Sequence, residues 1–401
     1  MSDGVQLAVM AAGEGARAGG DWTRLGDVDV VTGPAAARVA ERAARRTTQP
    51  MLVTQLGRLF QRRHPDVPVL VDKGRYLVVD TAGHEIDPCG EGACGYAVTP
   101  LPVNEVVFER RAGAERAGRA RYEALVGEVS ADEIAAANTH LASFPTRHAL
   151  SGPFAEAATW AAERLASQGY DVRLDPVVMP GGETANVVAE RAGNGNGDRA
   201  LVVVCAHLDS VNLEGGAYAP APGADDNGSG SAGLLEIARV LAEHPGRDDL
   251  RLLLFGGEEE GLWGSRRHVQ ALGSADRARI SAVVNMDMIG TVNTSERTVL
   301  IEGGEVSRAL IDILASAAST YTSLAVQTSL NPFNSDHVPF IDARIPAVLT
   351  IEGTDSANQH IHSERDTLDH VDRELATEIV RMNVAATATA LGAAESRVVG
   401  G

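Results

Sequence analysis

The sequence predicts an α/β protein: a three-layer sandwich around a mixed, mostly parallel central sheet, preceded by a small α+β domain. Continuous Val and Leu runs such as LVVVCA and LRLLLF alternate with segments of helical spacing from residue 201 onward. This alternation is typical of strands that are buried on both faces and covered by helices. Earlier extended runs on either side of DKGR predict a β-hairpin. With 401 residues, 44% of them apolar, the chain is long enough for one large domain and a smaller one.

The first 125 residues predict the small α+β domain. Residues 1–45 are rich in Ala, Gly and Arg, and we expect two short helices or an arm that orders on packing. The apolar spacing of Leu52, Leu56, Leu59 and Phe60 predicts a helix. VPVLVDKGRYLVVD then predicts the hairpin, and YAVTPLPVNEVVFERR one or two further extended segments. The domain could border the cleft as a cap, bind a partner or only aid folding.

Residues 130–395 predict the larger domain. Two long helical segments and two short strands precede the regular alternation of strands and helices. The strands of that alternation are LVVVCA, LRLLLF, ISAVVNMDM, LAVQT and PAVLTI, and the helices between and after them are SAGLLEIARVLAEH, WGSRRHVQAL, SRALIDILASAAS and RELATEIVRMNVAATATAL. No internal repeat is evident, so we expect two domains, at 1–125 and 130–395.

Charge and composition exclude several classes of protein. The net charge of −19 disfavours a nucleic-acid partner, because phosphate binding needs a basic surface. No apolar run approaches the ~18 residues of a membrane span. The N-terminal stretch lacks a basic start and a sustained apolar core, so it is a poor signal peptide. We therefore expect a cytoplasmic protein without a membrane partner.

Three cysteines are too few for a disulfide framework. Cys89 and Cys94 form a C-x4-C pattern that could be a disulfide, a metal clip or two unrelated thiols. Cys205 lies within a predicted buried strand, where packing in the core is its expected role.

Polar side chains of metal-ligand type follow four of the predicted strands. His207 and Asp209 follow LVVVCA, the run Glu258–Glu260 follows LRLLLF, and Asp287 ends ISAVVNMDM. A Gly-rich loop contributes Asp225 and Asp226, and the stretch after PAVLTI contributes His360 and His362. Ligands of such sheets bind outside the carboxyl ends of the strands, so we expect these side chains to share one cleft.

One histidine or one acidic turn would be an ordinary structural feature, but the coincidence at four strand ends points to metal. Histidine and carboxylate ligands without cysteine suit catalytic zinc, and this set could hold two ions with one carboxylate bridging them. Residues i and i+2 of a strand point the same way, so Asp209 could accept a hydrogen bond from the His207 ring nitrogen that faces away from the metal.

Six motifs of the larger domain, in their order, resemble the co-catalytic di-zinc aminopeptidases of the bacterial leucyl-aminopeptidase type. They are HLDS, GADDNGSGSAG, GGEEEGLWGS, NMDMIG, SDHVPF and HSERDTLD, and FPTRHALSG resembles the entrance to that domain. The resemblance covers residues 130–395 and says nothing about the first 125. It implies two Zn²⁺ ions and a peptide or aminoacyl substrate with a free N-terminus.

The resemblance also implies a role for each residue. His207 corresponds to the first histidine ligand, and Asp209 to the carboxylate that orients it. Asp226, directly before the Asn of the DNGSG turn, corresponds to the bridging ligand. Asp287 corresponds to the carboxylate ligand of the other zinc, the one that Glu259 does not bind.

The same family pattern separates the three glutamates. Counting back from the Gly-Ser pair makes Glu258 the general base and Glu259 a zinc ligand, and leaves Glu260 at a variable position that we expect to face water. The last ligand precedes the S/T-x-x-D-T stretch, which selects His362 rather than His360.

The implied chemistry is hydrolysis of the N-terminal peptide bond by a metal-bridging hydroxide, with Glu258 taking and delivering the proton. One position departs from the family: some members have a tyrosine directly before the last histidine, where this chain has Ile361. The alternatives are a glutaminyl-cyclase-like acyltransferase, which uses one zinc, a carboxypeptidase on the same fold, and a non-catalytic binding module. The intact Asp226 motif and the full ligand set disfavour the first and the last.

Overall fold

The computed structural model of the chain describes residues 5–39, 45–87, 95–111, 121–216 and 218–392. These residues form two compact units. The first holds the described residues up to Arg111 together with two later segments, Gln327–Phe333 and Thr354–Gln359; the second holds the rest. The return of two later segments to the first unit was not foreseen. The domain limits 1–125 and 130–395 stay a prediction, and Cys89 and Cys94 lie outside the described residues.

The first unit consists mainly of strands. Its elements are β1 (Val5–Ala11), β2 (Asp21–Leu25), β3 (Val28–Thr32), α1 (Pro34–Val39), β4 (Arg45–Thr47), β5 (Pro50–Gln55), α2 (Leu59–Arg63), β6 (Val69–Lys73), β7 (Tyr76–Asp80), β8 (Tyr96–Pro100) and β9 (Glu105–Arg110). One row of strands runs β9-β2-β3-β1-β4, with Gln327–Ser329 antiparallel to β9, and a second sheet runs β6-β7-β5-β8. Residues of both rows, including Leu25, Leu52 and Tyr76, share one core cluster.

Of three expectations for this unit, one is wrong, one is partly right and one is confirmed. The described residues among 1–45 form mainly strands, with α1 and a short 3-10 helix at Ala16–Ala18. Of the helix predicted from Leu52 to Phe60, Leu59 and Phe60 begin α2, but Leu52 lies in β5. β5 is hydrogen-bonded between β7 and β8 and buries residues on both faces, such as Leu52 and Val53, so its sequence carries no period-2 alternation. The hairpin around DKGR is present as β6 and β7.

The second unit contains the alternation that the sequence predicts. Its elements are α3 (Glu123–Gly127), α4 (Ala131–Ala142), α5 (Gly152–Ser167), β10 (Asp171–Met179), β11 (Gly182–Arg191), β12 (Leu201–His207), α6 (Gly228–Ala242), β13 (Asp249–Phe255), α7 (Trp263–Ala271), α8 (Ser274–Arg279), β14 (Ile280–Met286), β15 (Thr298–Gly303), α9 (Arg308–Tyr321), β16 (Ala325–Ser329, of which the last three residues belong to the first unit), α10 (His337–Asp342), β17 (Ala347–Glu352) and α11 (Arg373–Ala390).

The sheet of this unit has the order β10-β11-β13-β12-β14-β17-β15. The four strands β13, β12, β14 and β17 are parallel, and antiparallel pairs flank them. Helices α7 and α10 pack on one face, where Val203, Cys205 and Phe340 share a core cluster, and α6 and α11 contact the strands from the other. The predicted fold class is confirmed, and so is the core position of Cys205, which is fully buried.

The central strands place their carboxyl ends side by side. All seven residues of β12 are buried, as the continuous LVVVCAH run predicts. Its partner strands are β13 and β14, whose chains continue into the glutamate run and Asp287 respectively. Among the described residues, no helix combines the length and the apolar character that a membrane crossing needs.

Candidate metal centre

The six side chains for which the sequence predicts catalysis or metal binding meet at the carboxyl ends of β12, β13, β14 and β17. They form two groups, and within each group the potential ligand atoms all lie within 4.8 Å of one another. The first group is His207, Glu258 and Asp287, and the second is Asp226, Glu259 and His362. The arrangement fits two neighbouring cations.

Asp226 lies between the two groups. Its Oδ1 is 3.2 Å from Nε2 of His207, and its Oδ2 is 3.0 Å from Nε2 of His362. The main-chain N–H groups of Asp225 and Asp226 donate to the two carboxylate oxygens of Asp366, each at 2.9 Å. A carboxylate that offers one oxygen to each histidine is placed as a bridging ligand would be.

His207 faces two carboxylates with one ring nitrogen and Asp209 with the other. Its Nε2 is 3.2 Å from Oδ1 of Asp287 as well as from Asp226. Its Nδ1 lies 3.2 Å from the main-chain oxygen of Asp209 and 3.6 Å from the carboxylate of that residue. The Asp209 carboxylate instead accepts the N–H groups of Glu258 and Glu259, at 3.3 and 3.2 Å. Asp209 therefore supports the glutamate turn, a role that the His-x-Asp spacing did not suggest.

The glutamate turn follows the end of β13 and directs its three side chains differently. Oε2 of Glu259 is 3.1 Å from Nε2 of His362, and its Oε1 is buried without a hydrogen-bond partner among the described residues. Glu258 joins the His207 group. Gly257 permits the turn because it has a φ of +79°, a left-handed conformation that side chains disfavour.

The expectation that Glu260 faces water is wrong. Its side chain is 19% exposed, and Oε1 lies 3.1 Å from Nε2 of His148. Burial, together with the nearby Asp209 and Glu259, raises the pKa of Glu260 to about 9. His148 reaches this turn from the loop before α5, a long-range contact that no local sequence pattern reveals.

Asp287 is held by residues that the sequence analysis did not single out. Ser335 donates its hydroxyl to Oδ2 of Asp287 at 2.7 Å, and Asn285 donates its side-chain amide to the Ser335 oxygen at 2.8 Å. Ser335 and Asp366 both belong to motifs quoted above, SDHVPF and HSERDTLD. The motifs were the available signal, but which atom each residue contacts required the structure.

Arg147 is a buried cation near this acidic cluster. Its guanidinium donates to main-chain oxygens of the surrounding loops, including those of Leu208 at 2.8 Å and Gly223 at 2.9 Å. Burial lowers the pKa of Arg147 to about 10 although nearby carboxylates, first Asp366 and Asp209, oppose that shift. The side chain therefore links the loops and carries positive charge next to them.

The buried carboxylates make the centre strongly acidic. Burial raises the pKa of Glu258 well above its usual range and that of Glu259 to about 7. Burial alone would lower the pKa of His207, but the carboxylates of Asp287 and Glu258 outweigh it and raise that pKa well above the usual value. Carboxylates outnumber the imidazoles, so a full set of ionised groups needs added positive charge.

The donor set fits divalent cations, and zinc in particular. Two imidazole nitrogens each face two carboxylate oxygens within 3.2 Å, and within the described ranges a buried oxygen of Glu259 has no hydrogen-bond partner. Mixed histidine and carboxylate ligands are those of catalytic zinc sites. His360 is directed elsewhere and stacks on His370 at 3.7 Å between ring centroids, while Ile361 packs with Met288 and Leu300.

Fold and site together define a class: α/β proteins with paired histidine–carboxylate metal groups at the carboxyl ends of parallel strands. The family model described as "Peptidase family M28" matches residues 186–387, half of this chain. The chain belongs to that family.

Sequence relatives carry aminopeptidase names. "Aminopeptidase YwaD" of Bacillus subtilis is 35% identical over 181 residues, which cover 43% of this chain and 37% of that protein. An "Aminopeptidase" of Pseudomonas aeruginosa is 48% identical over 131 residues, 32% of this chain and 23% of that protein. The match thus spans well under two thirds of the length of these relatives.

Solved structures share the fold at low sequence identity. The Legionella pneumophila LapA aminopeptidase has a TM-score of 0.61 at 20% identity, covering 86% of this chain and 99% of that one. The aminopeptidase from Aneurinibacillus sp. strain AM-1 has a TM-score of 0.58 at 16% identity, covering 70% and 98%.

Proposed function

We propose that the chain is a zinc-dependent aminopeptidase that hydrolyses the N-terminal peptide bond of peptides and releases one amino acid. The observation that carries this proposal is the position of Asp226, with one carboxylate oxygen about 3 Å from a histidine of each group. The family membership and the aminopeptidase names of the relatives support it.

The centre is proposed to hold two zinc ions. His207 and Asp287 would bind one, Glu259 and His362 the other, and Asp226 both. When bound, zinc supplies a Lewis acid that polarises the peptide carbonyl and lowers the pKa of a water molecule to near neutrality.

Glu258 is proposed as the general base. It lies with His207 and Asp287, and its main-chain N–H is fixed by Asp209. From this position its carboxylate takes a proton from the attacking water and delivers it to the nitrogen of the leaving amine. For this role the carboxylate of Glu258 must stay free of the metal ions, so that it can accept and donate a proton.

A free α-amine on the substrate complements the acidic centre. Glu258, Glu259 and Asp287 contribute carboxylates to the two groups, and an ammonium group can form charge-assisted hydrogen bonds with such oxygens. An N-acetyl group would remove that charge and add bulk. This complementarity would make the enzyme an exopeptidase that reads the start of its substrate.

Metal analysis combined with a matched pair of substrates tests the proposal. We expect two equivalents of zinc per chain, cleavage of leucyl amide, and cleavage of N-acetyl-leucyl amide poorer by about 100-fold, the cost of one charge-assisted contact. Chelators should abolish the activity.

Each alternative predicts a different result. A single equivalent after zinc is restored would favour the cyclase-like reaction, and two equivalents without any turnover would favour a binding module. Equal cleavage of the free and acetylated amides would contradict the aminopeptidase assignment while leaving a zinc hydrolase.

A further inference from the structure

Two segments of the first unit continue directly into residues of the metal centre. Gln327–Phe333 ends two residues before Ser335, whose hydroxyl holds Asp287. Thr354–Gln359 ends three residues before His362. Contacts that hold these two segments in place therefore also restrict the backbone positions of Ser335 and His362.

Arg75 binds both segments at once. Its Nη1 is 2.9 Å from Oδ2 of Asp355, and its Nη2 donates to the main-chain oxygen of Phe333 at 2.9 Å. The side chains of Arg75 and Asp355 are 2% and 1% exposed. A planar guanidinium can make two such contacts in fixed directions, and a buried ion pair without competing water holds its geometry well.

The residues beside Arg75 contact the same two segments. A Cβ on Gly74 would lie 2.7 Å from Oγ of Ser356, so the hairpin backbone packs directly against that segment. Tyr76 donates its hydroxyl to Oγ of Ser329 at 3.0 Å, and Ser329 donates to the main-chain oxygen of Val107 at 2.8 Å. The start of β7 is therefore built against both segments, not against one.

His362 needs such support. Its backbone has a φ of 55°, in the left-handed region that a histidine rarely adopts. Conformations of this kind persist where the surrounding structure determines them. The carbonyl oxygen of His362 accepts the N–H of Leu213 at 2.9 Å, and the chain enters this residue from the segment that Asp355 belongs to.

We propose that Arg75 is a positioning residue for the metal centre, acting through Asp355 on His362 and through Phe333 on Ser335 and Asp287. The proposal rests on the proposed function, because it assumes that these ligands hold metal. It extends the set of residues that hold the proposed ligands beyond those in direct contact with them.

A double substitution tests the proposal without leaving a buried charge unpaired. Arg75→Met with Asp355→Asn removes both charges, and Arg24→Met with Asp29→Asn is the matched control. Arg24 and Asp29 form an ion pair at 2.8 Å in the same unit, with Asp29 fully buried. Among the described residues, Asp29 accepts hydrogen bonds from Gly13, Gly15 and Arg24, and none of these belongs to the two segments. The readouts are the binding of Co²⁺, followed by its visible absorption, the melting curve and turnover of leucyl amide.

We expect the Arg75/Asp355 variant to bind its weaker Co²⁺ equivalent up to about 10-fold less tightly, which is no more than the loss of a direct outer partner of a metal ligand costs. Its absorption band should change, while the control variant keeps wild-type metal binding even where its melting temperature falls. Metal binding and turnover equal to those of the control would overturn the proposal. Failure of the wild-type chain to bind metal would instead contradict the proposed function.

If the double variant does not fold, the single substitution Arg75→Lys tests the positioning role of Arg75. Lysine keeps the charge opposite Asp355 but lacks the fork that reaches Phe333 at the same time. We expect several-fold weaker Co²⁺ binding than in Arg24→Lys, and equal binding in these two variants would equally overturn the proposal.

Discussion

The two groups of the metal centre contain similar ligands but differ in how the fold holds them. His207 is the last residue of a fully buried strand and is 1% exposed, and Asp287 directly follows another strand and is fixed by Ser335. His362 lies on a loop, is 15% exposed and has a left-handed backbone. Its partner Glu259 keeps one buried oxygen that receives no hydrogen bond from the part of the chain that the structure describes.

This difference suggests that the strand-borne group is set by the sheet, whereas the loop-borne group depends on its ligands and on the segments next to it. Strands in the middle of a sheet have little freedom to move, and loops have more. Removal of one contact should therefore weaken metal binding less in the strand-borne group than in the loop-borne group.

The largest expected effect on turnover is that of Glu258→Gln, because Glu258 is the member of its group that is proposed to act as a base and not as a ligand. Glu258→Gln keeps the shape of the side chain but removes the base, so we expect turnover of leucyl amide to fall by about 100-fold or more. Elemental analysis should still find the wild-type zinc content. Loss of one zinc equivalent would mean that Glu258 is a metal ligand, as Glu259 is proposed to be in the other group.

A pair of substitutions compares the two groups directly. Glu259→Gln removes a ligand from the loop-borne group and should weaken zinc binding by more than about 100-fold, whereas Ser335→Ala removes only a partner of Asp287 and should cost about 10-fold. Competition with a chromophoric chelator measures both. A larger loss in Ser335→Ala would reverse the ranking of the two groups.

The smallest effect is expected at Glu260. Glu260→Gln preserves volume and leaves an oxygen that can accept from His148, so turnover and zinc content should stay within about 3-fold of wild type. The same assays apply. A loss of turnover as large as that of Glu258→Gln would show that the base had been assigned to the wrong glutamate.

The sequence was sufficient to predict the parallel strands of the second unit and the group of side chains at their carboxyl ends. Continuous apolar runs such as LVVVCAH identify buried parallel strands, and the residues that follow such strands must meet at one edge. The same reasoning could not place Glu260, because its environment is created by His148, more than a hundred residues earlier. Nor could it assign Ser335 or Arg147, whose partners are set by tertiary contacts.

The first unit was harder to predict for a physical reason. Leu52, Leu56 and Leu59 have helical spacing, but Leu52 lies in β5 and Leu59 begins α2. Because β5 is buried on both faces, its sequence lacks the alternation that distinguishes a strand. The segments that complete the unit come from residues beyond 326, and no local pattern connects them to it.

The bond between Arg75 and Asp355 also has a consequence for biosynthesis. The two residues are 280 positions apart, and ribosomes add roughly 5–20 residues per second, so Asp355 is made about 14–56 s after Arg75. During that interval the N-terminal unit has been translated but lacks the segments that cover Arg75. The contacts of Arg75 with Asp355 and Phe333 therefore cannot form until both segments have been made.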